Sequence, residues 1–112
     1  FEELQRTSVR TVEFRRFFDD RTAARVYFEL ERDRVLSFVV QLECLFNGDW
    51  SPIVRFNTAH GFPHRDTLHP SGEIAKTELP ARNYNEALTF AIQDLSQNWE
   101  RYRRRYEQWL EK

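Results

Sequence analysis

The sequence is poor in the features that mark membrane spans, disulfide scaffolds and flexible tails. Its 112 residues include one cysteine, so a disulfide framework is excluded. That residue, Cys44, sits inside an apolar, strand-like run, where a buried, inert thiol in a reducing, cytoplasmic setting is expected. No apolar run exceeds three residues, Phe38-Val39-Val40 being one, against the roughly 18 that a membrane span needs. The expectation is therefore no membrane partner. Three glycines and four prolines leave no linker and no low-complexity tract. Excess charge of one sign is also missing: 17 basic against 18 acidic residues give a net charge of -1, so nucleic-acid binding would need a local patch. Lysine is nearly absent, with only Lys76 and Lys112, and the many arginines read mostly as compositional usage. No signal-like segment opens the chain; it starts at Phe1 and contains no methionine, as a processed or trimmed N-terminus would leave it.

What is present fits one globular domain over 1–112, with 40% hydrophobic and 31% charged residues. Residues 9–18 mix Val9, Val12, Phe14, Phe17 and Phe18 with arginines, which suits a first strand ending at Asp19-Asp20. From Arg25 the alternation is clean, with Val26, Phe28 and Leu30 on one side and Arg25, Tyr27, Glu29 and Glu31 on the other. After the turn Glu31-Arg32-Asp33-Arg34, the run Val35 to Phe46 places Leu36, Phe38, Val40, Leu42, Cys44 and Phe46 on one face. It should be the longest and most central strand. Asn47-Gly48-Asp49 is a hairpin turn. The returning strand, Trp50 to Asn57, puts Trp50, Val54 and Phe56 on one face and Ile53, Arg55 and Asn57 on the other, with Pro52 marking a bulge or an edge. A His-rich loop is expected over 58–72, then a short strand from Ile74 to Leu79.

The last segment, 84–111, predicts one long helix, with Asn83 and Glu86 forming a capping box. Its stripe of Leu88, Ile92, Leu95, Trp99, Tyr102, Tyr106 and Trp109 has a heptad rhythm. About 27 residues at ~1.5 Å per residue make roughly 40 Å, longer than a strand of ordinary length covers. The C-terminal half should then overhang, exposing aromatics that would seal a homodimer or dock a partner, unless Phe14, Phe17 and Phe18 fold back onto them. Arg101, Arg104 and Arg105 should lie opposite the stripe with Arg103 on its flank. They read as a solvated face with a Glu100–Arg104 pair, a phosphate-holding surface being the alternative. The predicted fold class is α+β: a four- or five-stranded antiparallel meander over 9–79, with one long C-terminal helix packed across it.

All three histidines fall in one stretch, His60-Gly-Phe-Pro-His64-Arg-Asp66-Thr-Leu-His69, just after Arg55 and Asn57. Three uses fit these residue types. With Asp66 the imidazoles offer N/O ligands for a transition metal, although H-x3-H-x4-H is no standard metal spacing. Two imidazoles can also act as acid and base on a ribose phosphodiester, with Arg55 or Arg65 on the phosphate. The third reading is a surface loop whose histidines cap turns.

The stretch Val54-Arg55-Phe56-Asn57-Thr58-Ala59-His60-Gly61-Phe62-Pro63-His64-Arg65-Asp66 resembles the TumE toxin family, whose pattern is an Arg-aromatic-Asp-Asn-Ala strand end followed by histidines and a Pro-His pair. The resemblance is close over 54–69 and loose over 25–95. This chain has Asn57-Thr58 where that family has Asp-Asn, fewer histidines and a longer, Trp- and Arg-rich helix. The resemblance implies a toxin partnered by a helix-turn-helix antitoxin and acting as a ribonuclease on RNA. On the residues that match, the expected catalytic groups are His60, His64, His69 and Arg55. Asn57, Arg65 and Asp66 are the expected substrate-binding groups, with no metal or other cofactor. The alternative is a non-enzymatic protein-interaction module working through its sheet edge or its long helix.

Overall fold

Alternating side chains dictate a sheet with two unlike faces, and the computed structural model, which describes residues 8–112, has one. Six strands lie side by side in chain order: β1 (Val9–Asp19), β2 (Thr22–Glu31), β3 (Arg34–Phe46), β4 (Asp49–Asn57), β5 (His64–Leu68) and β6 (Ile74–Glu78). Every neighbouring pair is antiparallel. Helix α1 (Tyr84–Leu110) lies on one face, so the architecture is α+β. The strand count is six, a correction of the four or five expected. The extra strand is β5, inside the segment read as a loop over 58–72. Its sequence, His-Arg-Asp-Thr-Leu, lacks the polar/apolar alternation of a strand because it buries polar groups, His64, Asp66 and Thr67.

Turn chemistry closes the hairpins. Asn47 (φ 53°) and Gly48 (φ 85°) both take the left-handed conformation that a two-residue β3–β4 turn requires. Pro52 marks a bulge, as expected: Leu42 pairs with Val54, but Glu43 pairs with Pro52. The extra residue shifts the alternation on its far side. Trp50 therefore moves off the face of Val54 and Phe56 and meets Phe17 edge-on at 6.0 Å, while Ile53 is buried in the core. Both positions correct the face assignment made from simple alternation.

The core lies between the sheet and α1. Val26, Phe38, Val40, Leu42, Val54 and Phe56 are buried against Ala87, Leu88, Ala91 and Leu95. Alanines at 87 and 91 let the helix approach closely, and each large side chain removed from water contributes about 1.5–3 kcal/mol. At the helix start Asn83 accepts from the Glu86 amide at 2.8 Å, one half of the capping box that the sequence predicts, while the Glu86 carboxylate accepts from the Arg82 amide (3.1 Å) and not from that of Asn83.

The helix does not overhang. At its first turn Asn85 bonds the Asp33 carbonyl (2.8 Å) and the Val35 amide (3.0 Å). Near its end Arg103 donates to the Arg21 carbonyl (3.0 Å) and the Thr22 hydroxyl, and Tyr106 stacks on Phe46 at 5.3 Å. The helix thus follows β3 from end to end, because 13 strand residues at ~3.3 Å span about 43 Å. Its C-terminal aromatics are covered within the chain. Trp99 stacks on Phe18 at 5.4 Å and Trp109 on His69 at 3.9 Å, whereas Phe14 and Phe17 stay exposed. Arg103 is buried, not flanking, and pairs with Glu107 at 3.2 Å. Cys44 is fully buried, and desolvation pushes its thiol up to about 11. No helix among the described residues is long and apolar enough to cross a membrane.

Candidate functional site

The face away from α1 is polar. One residue from each strand falls into register there: Arg15, Arg25, Gln41, Arg55, Asp66 and Lys76 run in a row across the whole sheet. The adjacent row carries Tyr27, Val39, Asn57 and His64. Glu43 ties one half together, accepting from Gln41 (2.7 Å) and lying 3.3 Å from Arg15 and 3.5 Å from Arg25. Gln41 in turn accepts from Arg55 Nε at 2.8 Å, which aims the guanidinium along the sheet. The β4–β5 connection folds over this row and makes a cleft of about 510 Å³, lined by Tyr27, Arg55, Asn57, His60, His64, Asp66 and Lys76 among others.

Each side chain in the cleft is held by a local device. Asn57, at the end of β4, is buried; its Oδ1 accepts from the Ala59 amide (2.9 Å) and its Nδ2 donates to Asp66 (3.4 Å). Both ends of the amide are used, so Asn57 shapes the turn and does not reach for a ligand. The Thr58 hydroxyl accepts from the Phe38 amide at 3.1 Å and pins the turn to β3. A 3-10 turn, Ala59–Gly61, then presents His60 at φ 72°, a left-handed conformation that costs a side-chain-bearing residue about 1–2 kcal/mol. The His60 ring is exposed, with its centroid 6.1 Å from that of His64.

His64 is 1% exposed and differently placed. Its Nδ1 lies 3.2 Å from the Phe62 carbonyl, which can only accept, and its Nε2 lies 3.1 Å from Lys76 Nζ, which as an ammonium can only donate. The two contacts select the Nδ1–H tautomer and point the Nε2 lone pair at the lysine. Lys76 also bonds Asp66 at 3.2 Å, closing a His64–Lys76–Asp66 cluster.

Five of the seven expected site residues thus meet in the cleft: Arg55, Asn57, His60, His64 and Asp66. The other two do not. His69 lies on Trp109 of the helix, and Arg65 points to the helix side, donating to the Tyr102 hydroxyl at 3.4 Å. The reason is parity: Arg65 alternates with His64 and Asp66 along β5 and pairs with Phe56, a core residue. On that side Tyr102 donates to Asp94, and burial together with this bond raises its hydroxyl pKa. Arg101 and Arg105 both lie over the Tyr102 ring, 5.4 Å from its centre. Burial and the neighbouring arginines lower Arg105.

Lys76 and Tyr27 are the residues that the sequence reading missed. Lys76 is one of only two lysines, in a chain that otherwise uses arginine, and that was the available signal. Among the described residues no three His, Cys, Asp or Glu side chains converge as metal ligands. Residues 9–112 match the family described as Domain of unknown function (DUF7718). No curated protein and no solved structure matches the chain.

Proposed function

The chain belongs to the DUF7718 family, and we propose that it is a toxin-like, metal-independent ribonuclease that uses the open-face cleft on RNA. The observation that carries this reading is the gathering of an exposed imidazole, a free-ended guanidinium and an exposed lysine held by buried His64 and Asp66 around one cleft of about 510 Å³. Such a set suits transphosphorylation. His60 takes the proton of a ribose 2′-hydroxyl, and that oxygen bonds to phosphorus. The P–O5′ bond breaks, and the leaving oxygen receives its proton from Lys76, whose partner His64 holds it in place. Arg55, anchored through Nε, turns its two terminal nitrogens to the phosphate, where charge grows. Asn57 and Asp66 position these groups, while Arg65 and His69 act on the helix side.

In this reading a helix-turn-helix antitoxin is the partner protein, and the setting is cytoplasmic. A homodimer through the helix seam has less to support it, since Phe18, Phe46 and His69 already cover Trp99, Tyr106 and Trp109. The alternative, an interaction module, is favoured by one observation: β6 is an edge strand with all five residues exposed, open to pairing with another chain.

Expression in a bacterium without the antitoxin tests the proposal. Wild type should arrest growth and, once purified, cleave RNA to 2′,3′-cyclic phosphate ends in EDTA. His60→Ala and Arg55→Ala should remove both effects while keeping the wild-type circular dichroism. Normal growth at high soluble expression, with no cleavage in vitro, would leave the module reading in its place.

A further inference from the structure

Natural sheets protect long edges, yet among the described residues β1 stands as an open one. It is an eleven-residue strand whose only neighbour among the described residues is β2, and it exposes Val9 (50%), Phe14 (43%) and Phe17 (55%). α1 follows β3 and leaves Phe14 exposed on the helix side, although its partner across the ladder is the core residue Val26. A long, partly apolar edge is a template for another strand.

The sequence of β1 selects the occupant. We infer that the β1 edge pairs antiparallel with β1 of a second copy, about a two-fold axis through Phe14. That axis must stand normal to the sheet, because only then are the strands antiparallel and adjacent. It keeps the two helices on one side, so odd-numbered residues oppose odd and even oppose even. Centred on Phe14, the regular part of the strand before the irregularity at Phe17 and Asp19 pairs Phe14 with Phe14, Glu13 with Arg15, Val12 with Arg16 and Thr11 with Phe17. Opposite charges meet twice, once on each side of the axis, and the exposed phenyl rings meet at it. The neighbouring registers fail. Centring on Glu13 opposes Glu13 to itself and Arg10 to Arg16; centring on Arg15 or Arg16 opposes an arginine to itself. Centring on Val12 leaves Arg15 against Val9 and Phe14 against Arg10, forfeiting both ion pairs.

The interface is isologous and made of main-chain hydrogen bonds plus these side-chain pairs. It yields a twelve-stranded sheet with both helices on one face. Both His60 clefts then open on the other, so a dimer presents two sites on a common surface. The pairing itself does not depend on what the cleft does.

A charge reversal tests it. Sedimentation of the wild-type protein over a dilution series should show a dimer that dissociates on dilution. Glu13→Arg, which sets arginine against Arg15, and Arg15→Glu, which sets glutamate against Glu13, should each raise the dissociation constant at least about tenfold. The double variant restores opposite pairing and should recover the wild-type value. Because Arg15 also touches Glu43 in its own chain, Phe14→Cys supplies an independent readout. It should crosslink under mild oxidation, while Thr11→Cys, which faces Phe17 of the other copy, should not. A strict monomer at the highest concentration, a dimer indifferent to Glu13→Arg, or equal crosslinking at 11 and 14 would overturn the pairing. Ribonuclease activity is read separately, so its absence with an intact dimer would count against the proposed function alone.

Discussion

The two faces of the sheet are written by the same strands and do opposite work. Along β4, Val54 and Phe56 enter the core under α1, while Arg55 and Asn57, one residue out of phase, belong to the cleft. Along β5 the same parity sends Arg65 to the helix side and His64 and Asp66 to the cleft. A one-residue slip would exchange the two sets, so the apolar face fixes where the polar groups stand. The residues that build the core and those that line the cleft are therefore separable here, one by one.

The largest effect should come from the covered face. Phe56→Ala empties a fully buried site and should cost about 3–5 kcal/mol in chemical denaturation. Arg55→Ala, its neighbour in the chain, should cost only about 0.5–1.5 kcal/mol, the worth of its bond to Gln41, while abolishing RNA cleavage. Equal losses of stability from the two would break the division between the faces.

A smaller effect belongs to the covered face alone and appears only in alkali. Burial raises the Cys44 thiol from 9.0 to about 11, so the folded state holds its proton where the unfolded state has lost it. Its contribution is complete below pH 9 and fades as pH rises through about 11, reaching roughly 2–3 kcal/mol. Tyr102 and Tyr106, also raised by burial, add to the slope above pH 10. Unfolding titrations between pH 8 and 11 should show this decline, and Cys44→Ala should flatten its lower part. An unchanged slope in that variant would place the decline elsewhere.

The smallest effect sharpens the comparison from the open face. His60→Gly relieves the left-handed backbone and should stabilise the protein by about 1 kcal/mol while removing activity. A residue that costs stability where it stands, on the face that does not need it for the core, is the pattern expected of function. Destabilisation by this substitution, or activity retained, would make His60 an ordinary turn residue.

How much was legible follows from what alternation encodes. It read β2 and most of β3, from Val26-Phe28-Leu30 and from Phe38-Val40-Leu42, because these strands are half buried and side chains alternate by geometry; it misplaced Leu36, where a bulge opposite Leu30 puts Val35 in the core instead. It read Arg55 and Asn57 onto one side of β4 for the same reason. The rule broke wherever an extra residue or a buried polar group entered. The bulge at Pro52 carried Trp50 to the other face, and β5, packed between two strands with His64 and Asp66 inside, had no apolar signature to read. The three clustered histidines also looked like one site, but neighbours in sequence on a strand point to opposite sides or lie beyond its end. His69 went to the helix.

By itself, the sequence determined the local structure: the half-buried strands, the Asn47-Gly48 turn and the capped helix, because these follow from side-chain period, φ preference and hydrogen bonds within a few residues. Only the tertiary structure decided which distant residues share a surface. Strand register aligned Arg15, Arg25, Gln41, Arg55, Asp66 and Lys76 in a single row, brought Lys76 to His64 and carried Arg65 away from both. Register is a cooperative property of the whole sheet, set by the fit of its buried face against the helix, and no short stretch of chain contains it.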